Sequence, residues 1–252
     1  MEPCACLLIH GFGGSPFEME PVARVLEAGG HACSLPTLPG HDATVEQWSR
    51  TGWQDWLAHV EGEYDRLEAR HGRVCVMGLS MGGSLSLALA QRRRPAGVVT
   101  LAAPVFLYQF FPPRALDWRL PLTGLLRKIR PIWPKDPKTG ESRAMAPWKG
   151  YEHAVALDAL YSFMQALPGV RRDLPRIAAP LLAVHSPLDR YVPYANLWEI
   201  TSRVSSPRRQ AVTLAIREKV TRHHMLTTHL ETRDEVAGLC LEFAARLSGQ
   251  GF

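Results

Sequence analysis

The chain has 252 residues, 46% hydrophobic and 21% charged, with a formal net charge of +5. That length and balance suit one large domain with a full core. No apolar run approaches the roughly 20 residues a membrane span requires, and no clustered basic reading module points to nucleic acid.

Short apolar runs alternate with segments of helical period, the pattern of a doubly wound α/β architecture with a mostly parallel sheet. The first run, residues 5–10, passes at once into His-Gly-Phe-Gly-Gly. It therefore reads as a strand and not as a signal peptide. Further strands are expected at 31–36, 74–79, 97–101, 180–186 and 210–216, about six in all. Between them Trp53, Trp56, Leu57, Val60, Tyr64 and Leu67 share one helical face and are expected in the core. Residues 105–150 break the rhythm with seven prolines and no clean period, and carry nine lysines and arginines against three acids. A long insertion of this kind is usually a lid or binding segment, so residues 1–252 read as one domain with a cap at 105–150. A helix is expected over 151–167. Near the end, Val236, Leu239, Cys240, Phe243 and Leu247 again fall on one face, after Thr232 and Glu235 at capping-box spacing. The five cysteines form no zinc-type pair of motifs and are expected as reduced thiols of a cytoplasmic protein.

The most informative stretch is VCVMGLSMGGSLSLALA, a strand that runs into Gly78-Leu79-Ser80-Met81-Gly82 and then a small-residue helix. This is the GxSxG nucleophile elbow in its strand–turn–helix context. The turn strains Ser80, and glycines on either side let strand and helix pass closely. A serine needs a base, and the base needs an acid to orient it, in the chain order Ser, acid, His. Asp189 follows the penultimate strand, and His223, His224 and His229 follow the last one. Three histidines in one loop, with no thiolate or carboxylate beside them, do not suggest a metal site. The HGFGG loop can turn a backbone N–H, that of Phe12, toward a developing oxyanion, with the Met81 N–H as its partner. It lacks the Lys-Ser/Thr of a phosphate loop.

The stretches LLIHGFGGSPFEMEPVARVLEAGGHACSLPTLPGHD, VMGLSMGG, HSPLDRYVP and the HHML segment resemble the α/β-hydrolase superfamily. Within it they are most similar to the small bacterial carboxylesterase and monoacylglycerol-lipase group. The resemblance covers nearly the whole chain and is weakest over residues 105–150. It implies a serine hydrolase of carboxylic esters with Ser80, Asp189 and a histidine as triad, Phe12 and Met81 as oxyanion donors, and neither metal nor organic cofactor. His224 fits the family's segment through the apolar Met225-Leu226 that follows it, with His223 as the alternative. The family's aspartate after that motif is replaced near His229. The antiparallel strand pair that usually opens the fold is expected to be shortened or absent.

Substrate contact is expected from the aromatic run after Pro104, at Phe106, Tyr108 and Phe110. His10 and His41 are read as structural loop residues and His185 as strand-end packing. The partner is a small-molecule ester or monoacylglycerol, with no nucleic acid and at most peripheral membrane contact through the basic cap. A thioesterase or amidase would use the same machinery, and a non-catalytic binding protein could share the fold.

Overall fold

The computed structural model describes residues 3–109 and 114–249. The chain begins with β1 (Ala5–Ile9), α1 (Glu20–Ala28), β2 (Cys33–Ser34), α2 (Val45–Trp48), α3 (Trp53–His71), β3 (Val74–Leu79), α4 (Met81–Ala90) and β4 (Gly97–Leu101). The middle holds β5 (Tyr108–Gln109), β6 (Arg114–Ala115), α5 (Thr123–Ile129), β7 (Ile132–Pro134), α6 (Gly140–Met145) and β8 (Ala154–Ala156). The last part is α7 (Leu157–Arg172), β9 (Leu181–His185), α8 (Ala195–Arg203), β10 (Arg209–Thr213) and α9 (Arg233–Gly249).

Six strands form one sheet in the order β10-β9-β4-β3-β1-β2, with every pairing parallel. Each expected strand is present, although β2 is only two residues long. The strands read as continuous apolar runs because β1, β3, β4 and β9 are buried at every position, as a sheet covered on both faces requires. Alternate side chains then enter different layers. Val74 and Val76 pack with Trp56, Val60, Leu85 and Leu197 beneath α3, α4, α7 and α8. Cys75 and Met77 pack with Leu26, Cys240 and Phe243 beneath α1 and α9. The tryptophans of α3 are core residues, as its helical face predicts. The five cysteines are free thiols. Thr232 turns its hydroxyl to the Leu226 carbonyl at 2.8 Å, on the turn leading into α9. Among the described residues no helix is long and apolar enough to cross a membrane.

The chain goes from β1 outward to β2, then crosses back to place β3 on the other flank of β1. The connections from the carboxyl ends of β1 and β3 therefore part in opposite directions and leave a crevice between them, the usual ligand position in open α/β sheets. β1 delivers the HGFGG loop to that edge, and β3 delivers Ser80.

One expectation, the helix over 151–167, is corrected. β5 pairs with β6, and β7 pairs with β8, in two small antiparallel ladders. Ladders of two or three residues are too short to leave a periodic trace in sequence. Residues 151–156 are not helical, because β8 lies against β7 and α7 begins only at Leu157. Tyr151 holds that extended stretch in place: its hydroxyl donates to the Ala43 carbonyl at 2.7 Å, and its ring stacks on Trp48 at 4.4 Å.

Trp56 is fully buried and donates its indole N–H to the Pro39 carbonyl at 3.0 Å. Trp56→Ala is expected to lower stability by about 3–5 kcal/mol in urea unfolding. A change below ~1 kcal/mol would remove α3 from the core that fixes the crevice.

Candidate active site

The elbow is set by glycines that nothing larger can replace. A Cβ on Gly78 would lie 2.1 Å from the Gly82 carbonyl carbon, and one on Gly82 would lie 2.1 Å from the Ile9 carbonyl oxygen. Strand β3, helix α4 and the end of β1 thus meet backbone to backbone. Between those glycines Ser80 is forced to φ 54° and ψ −121°, a region that non-glycine residues occupy only under constraint. The Ser80 N–H donates to the Leu101 carbonyl at 2.8 Å, which holds the turn. Ser80 is part-exposed and lines a cavity of about 270 Å³ shared with Gly11, Phe12 and His224. Among the described residues, neither the Phe12 nor the Met81 amide donates to a protein acceptor, which leaves both N–H groups available at the cavity end of the sheet.

The three histidines of the last loop separate into two sets. His224 donates from Nδ1 to Asp189 Oδ2 at 2.6 Å, which leaves its Nε2 for the cavity. Asp189 Oδ1 accepts the Tyr191 and Val192 amides at 2.8 and 3.0 Å. Burial raises the Asp189 pKa, but His224 and His185 overcome it and hold the carboxyl at about 2. His185 Nε2 lies 3.2 Å from Asp189 Oδ2, so His185 is more than the strand-end packing expected of it.

His223 and His229 face a different acid. His223 Nε2 donates to the Glu218 backbone carbonyl at 2.7 Å, and His229 Nε2 donates to Glu218 Oε1 at 3.1 Å. Glu218 also accepts the Val220 and Thr221 amides. Burial opposes its charge, but bonds from Thr221 and His229 bring its pKa to about 2. The loop therefore does have a carboxylate beside its histidines, contrary to the expectation from sequence. His223 stands at φ 56° with its ring turned toward Glu218, so the structure joins His224, and not His223, to Asp189.

The HGFGG loop is anchored by groups the sequence did not mark. Glu18 is fully buried. Its Oε2 accepts the Gly11 N–H at 2.6 Å, and its Oε1 accepts the Trp148 indole N–H. Burial drives the Glu18 pKa up. The Tyr151 N–H donates to the Gly13 carbonyl at 2.9 Å. Residues 148–151 are thereby tied to the same turn that presents Phe12. No pattern around Glu18 announced this, because its partner is 130 positions away.

The aromatic run is placed differently from expectation. Phe106 and Tyr108 line a neighbouring cavity with Met164 and Arg171, while Leu107 between them reaches the Ser80 cavity. Asn196 fixes this orientation by accepting the Val105 and Phe106 amides at 2.7 and 3.0 Å. Phe110 lies outside the described residues. Far from the cavity, Cys4, Cys6 and His31 bring metal-ligating atoms within 4.8 Å of one another. His31 Nδ1, however, is already bonded to the Cys4 carbonyl at 2.9 Å.

His10 accepts the Leu38 N–H on Nε2 at 3.1 Å and so donates from Nδ1 to the Gly11 carbonyl at 2.9 Å. Burial, with His41 beside it, lowers its pKa from 6.5 to about 3. The unfolded chain binds this proton below pH 6.5 and the folded chain does not, so stability is full above 6.5 and falls as pH drops toward 3. His10→Gln is expected to reduce the loss between pH 7 and 4.5 by about 2 kcal/mol in urea titrations. An unchanged pH slope would assign the acid sensitivity elsewhere.

The sequence profile described as "Alpha/beta hydrolase family" matches residues 6–239. A thermostable monoacylglycerol lipase of Bacillus sp. (strain H-257) is 32% identical over 213 residues, covering 84% of this chain and 81% of that protein. A carboxylesterase of Bacillus subtilis (strain 168) is 33% identical over 104 residues, covering 41% of this chain and 42% of that protein. Among solved structures, one reported for the metagenome-derived lipolytic enzymes LipS and LipT superposes with a TM-score of 0.83 at 23% identity, over 97% of this chain and 94% of that one. The monoacylglycerol lipase of Paleococcus ferrophilus gives 0.75 at 15% identity, over 98% of this chain and 97% of that one. With a parallel sheet of this order, a strained serine elbow on its third strand and a profile match along most of its length, the chain belongs to the alpha/beta hydrolase family.

Proposed function

We propose that the chain hydrolyses esters of a single acyl chain through an acyl-serine intermediate on Ser80, with His224 as base and Asp189 as the acid that orients it. That it is a carboxylic ester hydrolase follows from its relatives, a monoacylglycerol lipase and a carboxylesterase. The observation that carries the residue assignment is the 2.6 Å bond from His224 to Asp189 in a loop lining the cavity onto which Ser80 opens.

Ser80 Oγ attacks the ester carbonyl while His224 Nε2 takes its proton. Asp189, ionised across the working pH range, stabilises the imidazolium and keeps the proton-bearing Nδ1 turned away from the serine. The carbonyl oxygen, now an anion, meets the Phe12 and Met81 N–H groups, each worth roughly 2.7–4 kcal/mol. The alcohol leaves with the histidine's proton, and water then attacks the acyl-serine by the reverse sequence. His10, Glu18 and Tyr151 hold the HGFGG turn, so the donor at Phe12 is set before substrate arrives.

Residues 105–150 act as the cap. Leu107, Leu116, Leu120 and Trp148 from this segment line the cavity, with Leu160 and Phe163 of α7 opposite. About 270 Å³ is at the small end of ligand pockets, which run roughly 300–1,000 Å³. A cavity of this size and lining suits a single acyl chain. Trp118 and Ile129 are 72% and 73% exposed, the first next to Arg119 and the second between Lys128 and Arg130 in the chain. Aromatic and aliphatic groups among cations are the composition of a surface that rests on anionic lipid. The cap makes that peripheral contact.

Hydrolysis of p-nitrophenyl esters from acetate to palmitate is expected in the wild type. It should fall by about 10⁴-fold or more in Ser80→Ala, and the chain-length optimum sizes the pocket. No turnover on any ester, with no fluorophosphonate labelling of Ser80, would sink the assignment. In liposome sedimentation, more protein should pellet with anionic than with neutral lipid, and Trp118→Ser/Ile129→Ser should lessen the difference. Equal recovery in both supernatants dismisses the lipid contact.

A further inference from the structure

The cations of residues 105–150 do not all face solvent. Lys135 and Lys138 line the Ser80 cavity, with ammonium groups 4.7 and 4.9 Å from the Trp148 ring centroid. Lys135 also donates to the Tyr151 carbonyl at 3.1 Å. Among the described residues neither is ion-paired with a carboxylate. Acids near them are engaged by other groups: Glu152 by Arg143 at 2.7 Å, Glu18 by Gly11 and Trp148, and Asp117, which lines the same cavity, by Arg119; Asp136 lines the adjoining cavity with Lys138. Arg190 lines the same cavity and is likewise unpaired. Elsewhere the pattern differs, because Arg93, Arg119, Arg171 and Arg203 each hold an acid. Two half-buried ammonium groups without a paired carboxylate are unfavourable in a largely apolar pocket. Burial and the like charge of Lys135 lower the Lys138 pKa to about 8.

The position of the pair fixes which part of a substrate it would meet. The leaving alcohol has to lie beside the imidazole that protonates it. Lys138 shares two cavities with His224 and Met225, the main one and an adjoining one of about 230 Å³. Lys138 therefore stands on the imidazole side of the site, where the leaving alcohol lies, and Lys135 joins it across Trp148 in the main cavity.

The geometry points to a substrate whose alcohol part carries an anionic group, a carboxylate or a phosphate, held by Lys135 and Lys138. This rests on the esterase reading above and names the substrate class for the same site. Trp148, against which both ammonium groups lie, supplies a flat apolar wall and, through Glu18, links occupancy of this subsite to the turn that presents Phe12.

The test uses three matched aryl esters: phenyl butyrate, 4-carboxyphenyl butyrate and 4-(phosphonooxy)phenyl butyrate, followed by pH-stat. The quantity read is the ratio of kcat/KM for each anionic ester to that for the neutral one. In Lys135→Gln/Lys138→Gln that ratio is expected to fall by about tenfold or more, the loss of a bond to a charged group. Lys135→Arg/Lys138→Arg should retain it, and added salt should shrink it in the wild type. Whichever anionic ester shows the larger fall identifies the group recognised. A ratio that is the same in wild type and in the glutamine variant, with phenyl butyrate hydrolysed by both, overturns the anionic subsite and leaves the esterase reading standing. Failure to hydrolyse phenyl butyrate at all overturns both.

Discussion

The approach of Gly82 to the Ile9 carbonyl is the constraint on which the site depends. It lets α4 start directly over the ends of β1 and β3, and it leaves no room for a side chain at position 78 or 82. The consequence is the positive φ of Ser80, which turns its hydroxyl away from the buried strand and into the crevice. The strain is held by bonds on every side: Ser80 N–H to Leu101, Gly11 N–H to Glu18, and the parallel pairing of β1 with β3 through Gly78. A relaxed turn would place Ser80 back in the sheet.

The loop after β10 shows how two acids divide neighbouring histidines. Asp189 takes His224 and approaches His185, whereas Glu218 takes His229 and flanks His223. Both carboxyls are held near pKa 2 by their partners against the effect of burial. Glu218 holds the backbone at Val220 and Thr221 before His224 and the ring of His229 after it. His229 finds its acid eleven residues upstream, in Glu218.

Residues 105–156 contribute to the cavity through their ends more than through their middle. Leu107 at one end and Trp148 to Tyr151 at the other are locked to the sheet edge by Asn196, Glu18 and the Gly13 carbonyl. Between those anchors the segment carries both its exposed apolar side chains and its inward lysines. The same short segment thus turns apolar side chains to the surroundings and two lysines to the cavity onto which Ser80 opens.

What the sequence by itself determined was whatever repeats over short distances or sits in a fixed local frame. Strand and helix periods indicated the six-stranded α/β architecture, and GxSxG with its flanking strand marked Ser80 as the proposed nucleophile. The chain order of acid and base narrowed the remaining roles to Asp189 and the His223–His224 pair. Tertiary structure alone decided the rest, because those choices depend on partners far apart in the chain. Glu18 reaches Trp148 across 130 positions, Asn196 orients Phe106 and Leu107 from about 90 away, and Asp189 selects His224 across 35. Side chains of the same type, adjacent in sequence, then differ because the His224 ring meets Asp189 and the His223 ring meets Glu218, and periodicity carries no information about which acid a ring will meet.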